Sequence, residues 1–262
     1  MQLVVDVGNT ETVVGLATSP TEVVADWRVS SSVPRTGDEM TALIRAFLAG
    51  DGVDERQIVR GVVGSVVPSV NYVWKKTLET ITGAPAVAVG PHSDLPITLD
   101  VEDPLSVGAD RVVNTMAAME LYGRDTIAVD LGTATTFDCI TAEGAFVGGV
   151  ISPGLRAGLE WLSARTAKLP RVELQPPELV IGRRTETCIQ SGVFYQAIDA
   201  VDGIVERIKE EWGRPDAMVV ATGGFAATMG PHLRTVETIE PYLTLFGLAM
   251  AGEYLADASG EG

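Results

Sequence analysis

Lysine is scarce in this chain of 262 residues: Lys75, Lys76, Lys168 and Lys209 are the only four. None stands in a G-x-x-x-x-G-K-[ST] context, which excludes a P-loop as the means of holding a nucleotide. Histidine is scarcer still. His92 and His232 stand alone, so no H-E-x-x-H or comparable metal cluster exists. The two cysteines, Cys139 and Cys188, make no C-x-x-C pair, and a reduced, cytoplasmic compartment is the expectation. Basic charge is in deficit: 35 Asp and Glu face 19 Lys and Arg, a formal net charge of -16. Such a chain binds nucleic acid or anionic membrane poorly, because the phosphate attraction needs a basic face; neither is expected as a partner. The acidity itself reads as solvated surface. Long apolar runs are missing as well. The longest uncharged stretch, 217–233, is broken by Gly223, Gly224, Gly230 and Pro231 and does not read as a membrane span. The opening MQLVVDVGNT meets Asp6 too early for a signal sequence, so no targeting segment is expected.

What is present is an ordinary globular composition, 46% hydrophobic and 21% charged, enough for one large domain or two small ones. The chain also echoes itself. Leu3-Val4-Val5-Asp6-Val7-Gly8-Asn9-Thr10 is an apolar strand ending in an Asp-x-Gly turn, and Ile127-Ala128-Val129-Asp130-Leu131-Gly132-Thr133-Ala134 repeats the form. Strands are predicted after each, over 12–17 and 23–29 in the first copy and over 135–141 and 145–151 in the second. A helix capped by Asp38 follows, with Met40, Leu43, Ile44, Phe47 and Leu48 on one face and Gly50 at its end. A strand over 58–63, a helix over 70–81 and a strand over 86–89 complete that half. A helix over 112–121 links the halves. The second half carries a long helix through Ile189, Val193, Ile198, Val201 and Val205, a strand over 217–221 and a last helix over 243–255. The pattern is α/β with mixed sheets.

An Asp at the C-terminal end of a strand stands where α/β folds bind ligands. Gly8 lets the backbone approach a polyphosphate, and Asn9 and Thr10 add donors. A single such turn is more simply a hairpin with a solvated Asp. Two copies at equivalent points favour a phosphate site. In the second, Thr133, Thr135 and Thr136 crowd beside Asp130. Hydroxyls suit phosphate oxygens and carboxylates repel them, so Asp6 and Asp130 near ATP require intervening cations, with Mg²⁺ the obvious one. A third turn, Thr222-Gly223-Gly224, also follows a strand and could admit adenosine.

These turns resemble the superfamily of acetate and sugar kinases, heat-shock ATPases and actin. Within it, Asp6 to Thr10, Gly108-Ala109-Asp110-Arg111, Asp130 to Thr136, Gly148-Gly149-Val150-Ile151-Ser152-Pro153-Gly154-Leu155, Gln190-Ser191-Gly192, Thr166-Ala167-Lys168-Leu169-Pro170 and Leu243-Thr244-Leu245-Phe246-Gly247-Leu248 resemble type III pantothenate kinase, in the same order over nearly the whole chain. The resemblance implies two duplicated ribonuclease H-like (actin-like ATPase) domains. The first spans 1–118, with the first phosphate loop and the GADR segment. The second spans 119–262, with the second phosphate loop and the adenosine turn. It implies ATP-dependent phosphorylation of the primary hydroxyl of pantothenate to 4'-phosphopantothenate, the first step towards coenzyme A, by a homodimer. Asp110 would be the general base. Val101, Gly108, Ala109, Asp110, Arg111 and Thr185 would line the pantothenate site. Asp6, Val7, Gly8, Asn9, Thr10, Glu11, Thr12, Val13 and Thr133 would hold ATP, and Asp130 a monovalent cation, K⁺ or NH₄⁺.

Arg111 beside Asp110 predicts a carboxylate kept ionised. Read without the resemblance, Asp110 is an N-cap with an exposed ion pair, and Thr185 likewise caps the long helix. The sequence departs from the family in one place. Where the family usually has Y-x-N-P, this chain has Val101-Glu102-Asp103-Pro104. Two further readings therefore stand beside the first: a kinase of the same fold for another small hydroxylated substrate, and a non-catalytic nucleotide-binding accessory or regulatory relative. The three retained carboxylates, Asp6, Asp110 and Asp130, argue against the latter.

Overall fold

The computed structural model describes residues 1–166 and 168–259; Ala167, within the T-A-K-L-P segment, and 260–262 lie outside the described residues. In chain order the elements are β1 (Gln2–Val7), β2 (Glu11–Ser19), β3 (Glu22–Ser30), α1 (Gly37–Gly50), β4 (Arg60–Ser65), α2 (Asn71–Thr82), β5 (Val87–Val89), β6 (Thr98–Leu99), α3 (Ala109–Tyr122), β7 (Thr126–Leu131), β8 (Ala134–Ile140), β9 (Ala145–Pro153), α4 (Leu155–Arg165), α5 (Thr185–Trp212), β10 (Met218–Thr222), α6 (Ala226–Met229), β11 (Thr238–Ile239) and α7 (Leu243–Ser259). The predicted strand–strand–strand openings of both halves are present. The fold class is α/β with two mixed sheets, as expected for duplicated actin-like domains.

The chain forms two compact units. The first holds Met1–Leu121, Glu143–Phe146 and the segment from Tyr242 on; the second holds Tyr122–Ala142 and Val147–Pro241. A single cut between 118 and 119 makes both halves continuous, whereas here the C-terminal helix belongs to the first unit. The reason is packing. The sheet of that unit runs β3-β2-β1-β4-β5. Leu3, Val5 and Val7 face α1 and α2 and share a core with Ile44, Leu48, Trp74 and Leu78. Each such buried side chain contributes roughly 1.5–3 kcal/mol. Strand period two turns Val4 and Asp6 to the other face. There Gly15, the residue paired with Val4, lies against Leu245. Gly64, paired with Asp6, lies against Leu248 of α7 and Ala109 of α3. α7 is apolar all round because it is covered on more than one side: Leu243, Leu245, Leu248, Ala249 and Ala251 are buried, and Gly247 backs onto the Val113 carbonyl of α3.

The sheet of the second unit runs β11-β10-β7-β8-β9. Ile127, Val129, Leu131 and Phe137 meet Val219 and Ala221 of β10 and the apolar stripe of α5, Ile189, Val193, Phe194, Ile198, Val201 and Val205. Asp202, on that helix and buried, accepts hydrogen bonds from the Arg234 and Thr235 amides and the Thr235 hydroxyl. Burial acts to raise its carboxyl, but these donors outweigh it and hold the group below the ordinary carboxylate value.

Three expected caps are corrected. Thr36, not Asp38, precedes α1: its hydroxyl accepts from the Glu39 amide at 3.3 Å, and the Glu39 carboxylate accepts from the Thr36 amide at 2.7 Å. T-x-x-E closes both ends of this box, leaving Asp38 in the first turn, paired with Lys76 at 3.0 Å. Asp110 is inside the first turn of α3 rather than before it. Thr185 is the first residue of α5, and Thr187 satisfies the turn instead, its hydroxyl oxygen accepting from the Arg183 and Arg184 amides at 3.1 Å.

Candidate active site

In the first unit the turn between β1 and β2 is closed by a hydrogen bond from the Gly8 amide to the Glu11 carbonyl at 3.2 Å. Val7 pairs with Thr12 and Asp6 with Val13, so the eight residues 6–13 form the end of one hairpin. Asn9, Thr10 and Glu11 are exposed, and Asp6 is half-buried. Thr12 is buried and shares a hydrogen bond with Ser31 at 2.9 Å. Glu11 pairs with Arg28 at 3.3 Å.

The start of α3 is brought to the same sheet edge. β4 pairs in parallel with β1, placing Gly64 beside Asp6, and Gly64 touches Ala109. One step further, the Val66 amide donates to the Val7 carbonyl at 3.1 Å, and Val66 packs on Gly108. The strand ends and the helix start therefore converge on one edge, where Asp6 and Asp110 both stand. Asp110 is half-buried, and its Oδ1 accepts from the Arg111 amide at 2.8 Å. Burial pushes its carboxyl above the ordinary value, against that hydrogen bond and the Arg111 charge. Arg111 favours the ionised form, as expected, but desolvation outweighs it in setting the direction of the shift; the guanidinium lies 4.7 Å over the Phe146 ring. A raised carboxyl is a better proton acceptor than a free one.

Val101 follows β6 and is half-buried. Asp103 is exposed, and its carbonyl accepts from the Ser106 hydroxyl at 2.8 Å.

In the second unit the turn between β7 and β8 is tighter. The Gly132 amide donates to the Ala134 carbonyl at 3.0 Å, and Asp130 pairs with Thr136. Thr222 of β10 lies beside Asp130 in parallel register. Gly223 follows with φ +88, and a Cβ there would overlap Asp130 Oδ1 and lie 2.8 Å from the Leu131 nitrogen. The Phe225 amide then donates to the Leu131 carbonyl at 3.0 Å. Gly154, immediately before α4, donates to the Thr133 carbonyl at 3.2 Å, and a Cβ on it would overlap the Gly132 and Thr133 carbonyls. The second hairpin, the T-G-G turn and the N-terminus of α4 thus meet with only glycine between them. Thr133 is exposed at this junction. Arg156 of α4 lies 5.3 Å over the Phe225 ring and brings a positive charge beside the T-G-G turn.

Thr185 is exposed. Its helix start contacts the preceding loop: Gly182 abuts Cys188, the Ser191 hydroxyl donates to the Val180 carbonyl at 2.6 Å, and Gln190 donates to the Glu173 carbonyl at 2.9 Å. Among the described residues no hydrogen bond joins the Thr185 side chain to the second hairpin. Two contributors carry no role in the sequence reading, Gly154 and Arg156. Pro153-Gly154 before an apolar periodic run was the available signal for the first; a cation over Phe225 has none in the sequence.

A family model of type III pantothenate kinase matches residues 2–207. The chain belongs to the type III pantothenate kinase family. It is 41% identical to the type III pantothenate kinase of Moorella thermoacetica, over 97% of this chain and 99% of the relative. It is 42% identical to that of Syntrophotalea carbinolica, over 95% and 96%. Among solved structures, a ROK family glucokinase from Streptomyces griseus in complex with glucose and AMPPNP aligns with TM-score 0.54 and 12% identity, covering 98% of this chain and 99% of that one. Component A of (R)-2-hydroxyglutaryl-CoA dehydratase from Acidaminococcus fermentans aligns with TM-score 0.57 and 14% identity, covering 99% and 98%. These two similarities concern the fold. The type III pantothenate kinase membership makes the chain a kinase, and both glycine-bearing hairpins fall within the matched residues.

Proposed function

We propose that this chain transfers the γ-phosphoryl group of ATP to the primary hydroxyl of pantothenate, with Asp110 as general base. The observation that supports this most is the half-buried Asp110 carboxylate, raised above its ordinary value, on the sheet edge where Asp6 ends β1. Phosphoryl transfer through a loose transition state asks for positioning, charge neutralisation and late proton removal. The roles carried over with the family are residues 6–13 and Thr133 for ATP, and Val101, Gly108, Ala109, Arg111 and Thr185 for the acceptor. Asp110 takes the hydroxyl proton as the oxygen attacks phosphorus and ADP departs.

The chemistry of the donors fits cations that arrive with the nucleotide. Among the described residues no three His, Cys, Asp or Glu side chains cluster into a ready-made cage. Mg²⁺ characteristically takes one or two carboxylates plus phosphate oxygens and water, which the strand-end aspartates allow. Asp130, bordered by Gly132 and by Gly223, where a side chain would intrude on its carboxylate, is the residue to hold a monovalent cation, K⁺ or NH₄⁺. A bound cation would neutralise phosphate charge that no P-loop lysine meets.

The deciding experiment incubates the purified chain with ATP, Mg²⁺, K⁺ and pantothenate and detects phosphopantothenate by mass spectrometry. ATP turnover with another hydroxylated acceptor but not with pantothenate would overturn the substrate. Equal rates in potassium-free sodium buffer would remove the potassium site. We also infer a homodimer, supported by Leu179, Val180, Ile181 and Trp161, which are 62–81% exposed. Sedimentation of a fully active monomer at assay concentration would refute it. Among the described residues no helix is long and apolar enough to cross a membrane.

A further inference from the structure

We infer that Gly108 is a positioning residue for Asp110: the space its absent side chain leaves is where the Asp110 carboxylate is held ready for the acceptor hydroxyl. The inference rests on the reading of Asp110 as the base. A Cβ on Gly108 would overlap Asp110 Oδ1. That oxygen is the one that accepts from the Arg111 amide at 2.8 Å. The carboxylate is therefore folded back over the residue two positions before it, tied by one oxygen to the first turn of α3. Val66 also stands near the missing Cβ, with Cγ1 at 3.2 Å.

Conformation does not demand glycine here. Gly108 is not among the glycines with positive φ. An alanine could adopt the backbone, and the first helical bond, from the Val112 amide to the Gly108 carbonyl at 3.1 Å, needs no particular side chain. What glycine supplies is room. An added methyl forces the flexible carboxylate, rather than the backbone, to give way, and Oδ1 leaves the Arg111 amide. A base displaced by about 1 Å from its working position costs on the order of 10²-fold in rate. The loss should fall on kcat, because the phosphate-binding hairpin of residues 6–13 does not include the displaced group.

The test compares the full-length parent with Gly108→Ala, alone and in an Asp110→Asn background. We expect Gly108→Ala to melt within about 2 °C of the parent, to lower kcat roughly 10²-fold, and to leave KM for ATP within about twofold. In the Asp110→Asn background the same change should cost less than about threefold, because the base it displaces is already gone. An equal loss in both backgrounds, or a kcat within about threefold of the parent in the single variant, overturns the inference. Crowding against Val66 is separated by Val66→Ala/Gly108→Ala, which relieves the 3.2 Å contact and keeps the methyl under the carboxylate. It should remain slow; recovery of kcat there would mean that packing, not the carboxylate, was at fault. Crystal structures of parent and Gly108→Ala give a readout independent of turnover. Asp110 Oδ1 is expected to have left the Arg111 amide in the variant, and finding it still in place overturns the inference. A parent that phosphorylates some acceptor other than pantothenate defeats the proposed substrate without touching this structural result.

Discussion

The two strand-end aspartates stand in the same pairing scheme but among different neighbours. Asp6 pairs with Val13 across an antiparallel hairpin and with Gly64 on a parallel strand; Asp130 pairs with Thr136 and with Thr222 in the same way. Beyond the parallel strand the units diverge. In the first, the edge receives the start of a helix bearing a second carboxylate, Asp110. In the second it receives two glycine backbones, Gly223 and Gly154. A duplicated scaffold has thus been filled with a carboxylate in one unit and with bare peptide in the other. Bare peptide suits a nucleotide that must come close; a half-buried carboxylate suits a hydroxyl that must lose a proton.

The comparison is broken most severely at Asp110. Asp110→Asn keeps the shape and removes the proposed base, and turnover should fall about 10²–10⁴-fold. Its stability should move the other way. A carboxyl raised in the folded state binds its proton more tightly there than in the unfolded chain, so stability declines as pH rises from about 3.9 through the raised value. The Asn variant lacks this penalty. Its Tm at neutral pH should equal or exceed the parent's, with any advantage vanishing below pH ~4. A melting series across pH, run beside a steady-state assay, checks both.

Gly223→Ala attacks the other unit. The positive φ costs an L-residue about 1–2 kcal/mol, and the methyl meets backbone of Leu131 as well as Asp130. A loss of about 3 kcal/mol or more is expected, seen in denaturant melts, with weakened ATP binding by calorimetry.

A third comparison sets a buried and a half-buried carboxylate of opposite character. Asp202 is lowered by the Thr235 and Arg234 donors that overcome its burial, whereas Asp110 is raised. Asp202→Ala leaves two amides of the 234–235 loop without their acceptor and should cost roughly 2–4 kcal/mol at pH 7. A depressed carboxyl stabilises above the unfolded value and ceases to do so as pH falls through the folded one. The gap between parent and variant should therefore close below pH ~4, which thermal melts at pH 3 and 7 would reveal.

The equivalent glycines of the hairpins differ as well. A Cβ on Gly8 would stand 2.8 Å from the Glu11 carbonyl that closes its turn, whereas on Gly132 the nearest atoms are at 3.4 and 3.5 Å. Gly8→Ala should cost about 1–3 kcal/mol and Gly132→Ala less than about 1. Equal costs would show that the turns are more alike than their geometry.

Much of this was legible in the residues. The strands flanking both turns alternate or run apolar, and the Asp-x-Gly echo marks the duplication. α5 was traced by Ile189, Val193, Ile198, Val201 and Val205, which all line its core face. Caps were less legible, because Asp38, Asp110 and Thr185 are good cap types one or two positions from the residues that do the work. The sign at Asp110 was illegible for a different reason. Arg111 is visible as a neighbour, but desolvation depends on what Gly64, Val66 and α7 bring around it. Pro153-Gly154 marks a helix start, but the contact that gives Gly154 its part is with a carbonyl more than twenty residues earlier, a distance no local pattern spans.

The smallest effect is expected at Asp103, where the chain departs from its family. A negative charge facing an anionic acceptor would raise KM and make it sensitive to salt. Here Asp103 is exposed, and its backbone carbonyl, not its carboxylate, holds the short turn through Ser106. In open solvent at 0.15 M salt its field is screened over about 8 Å. Asp103→Asn should therefore change KM for pantothenate by less than about twofold. Val101 is half-buried and exchanges an apolar contact rather than a charge, so Val101→Tyr should account for most of any gain in the Val101→Tyr/Asp103→Asn pair, up to the roughly 0.5–1.5 kcal/mol that one added neutral hydrogen bond contributes. Initial-rate titrations of pantothenate at low and high salt distinguish the two. A salt-dependent improvement from Asp103→Asn alone would mean that this carboxylate turns towards the acceptor in the working enzyme, and that the first unit's edge carries a third charge.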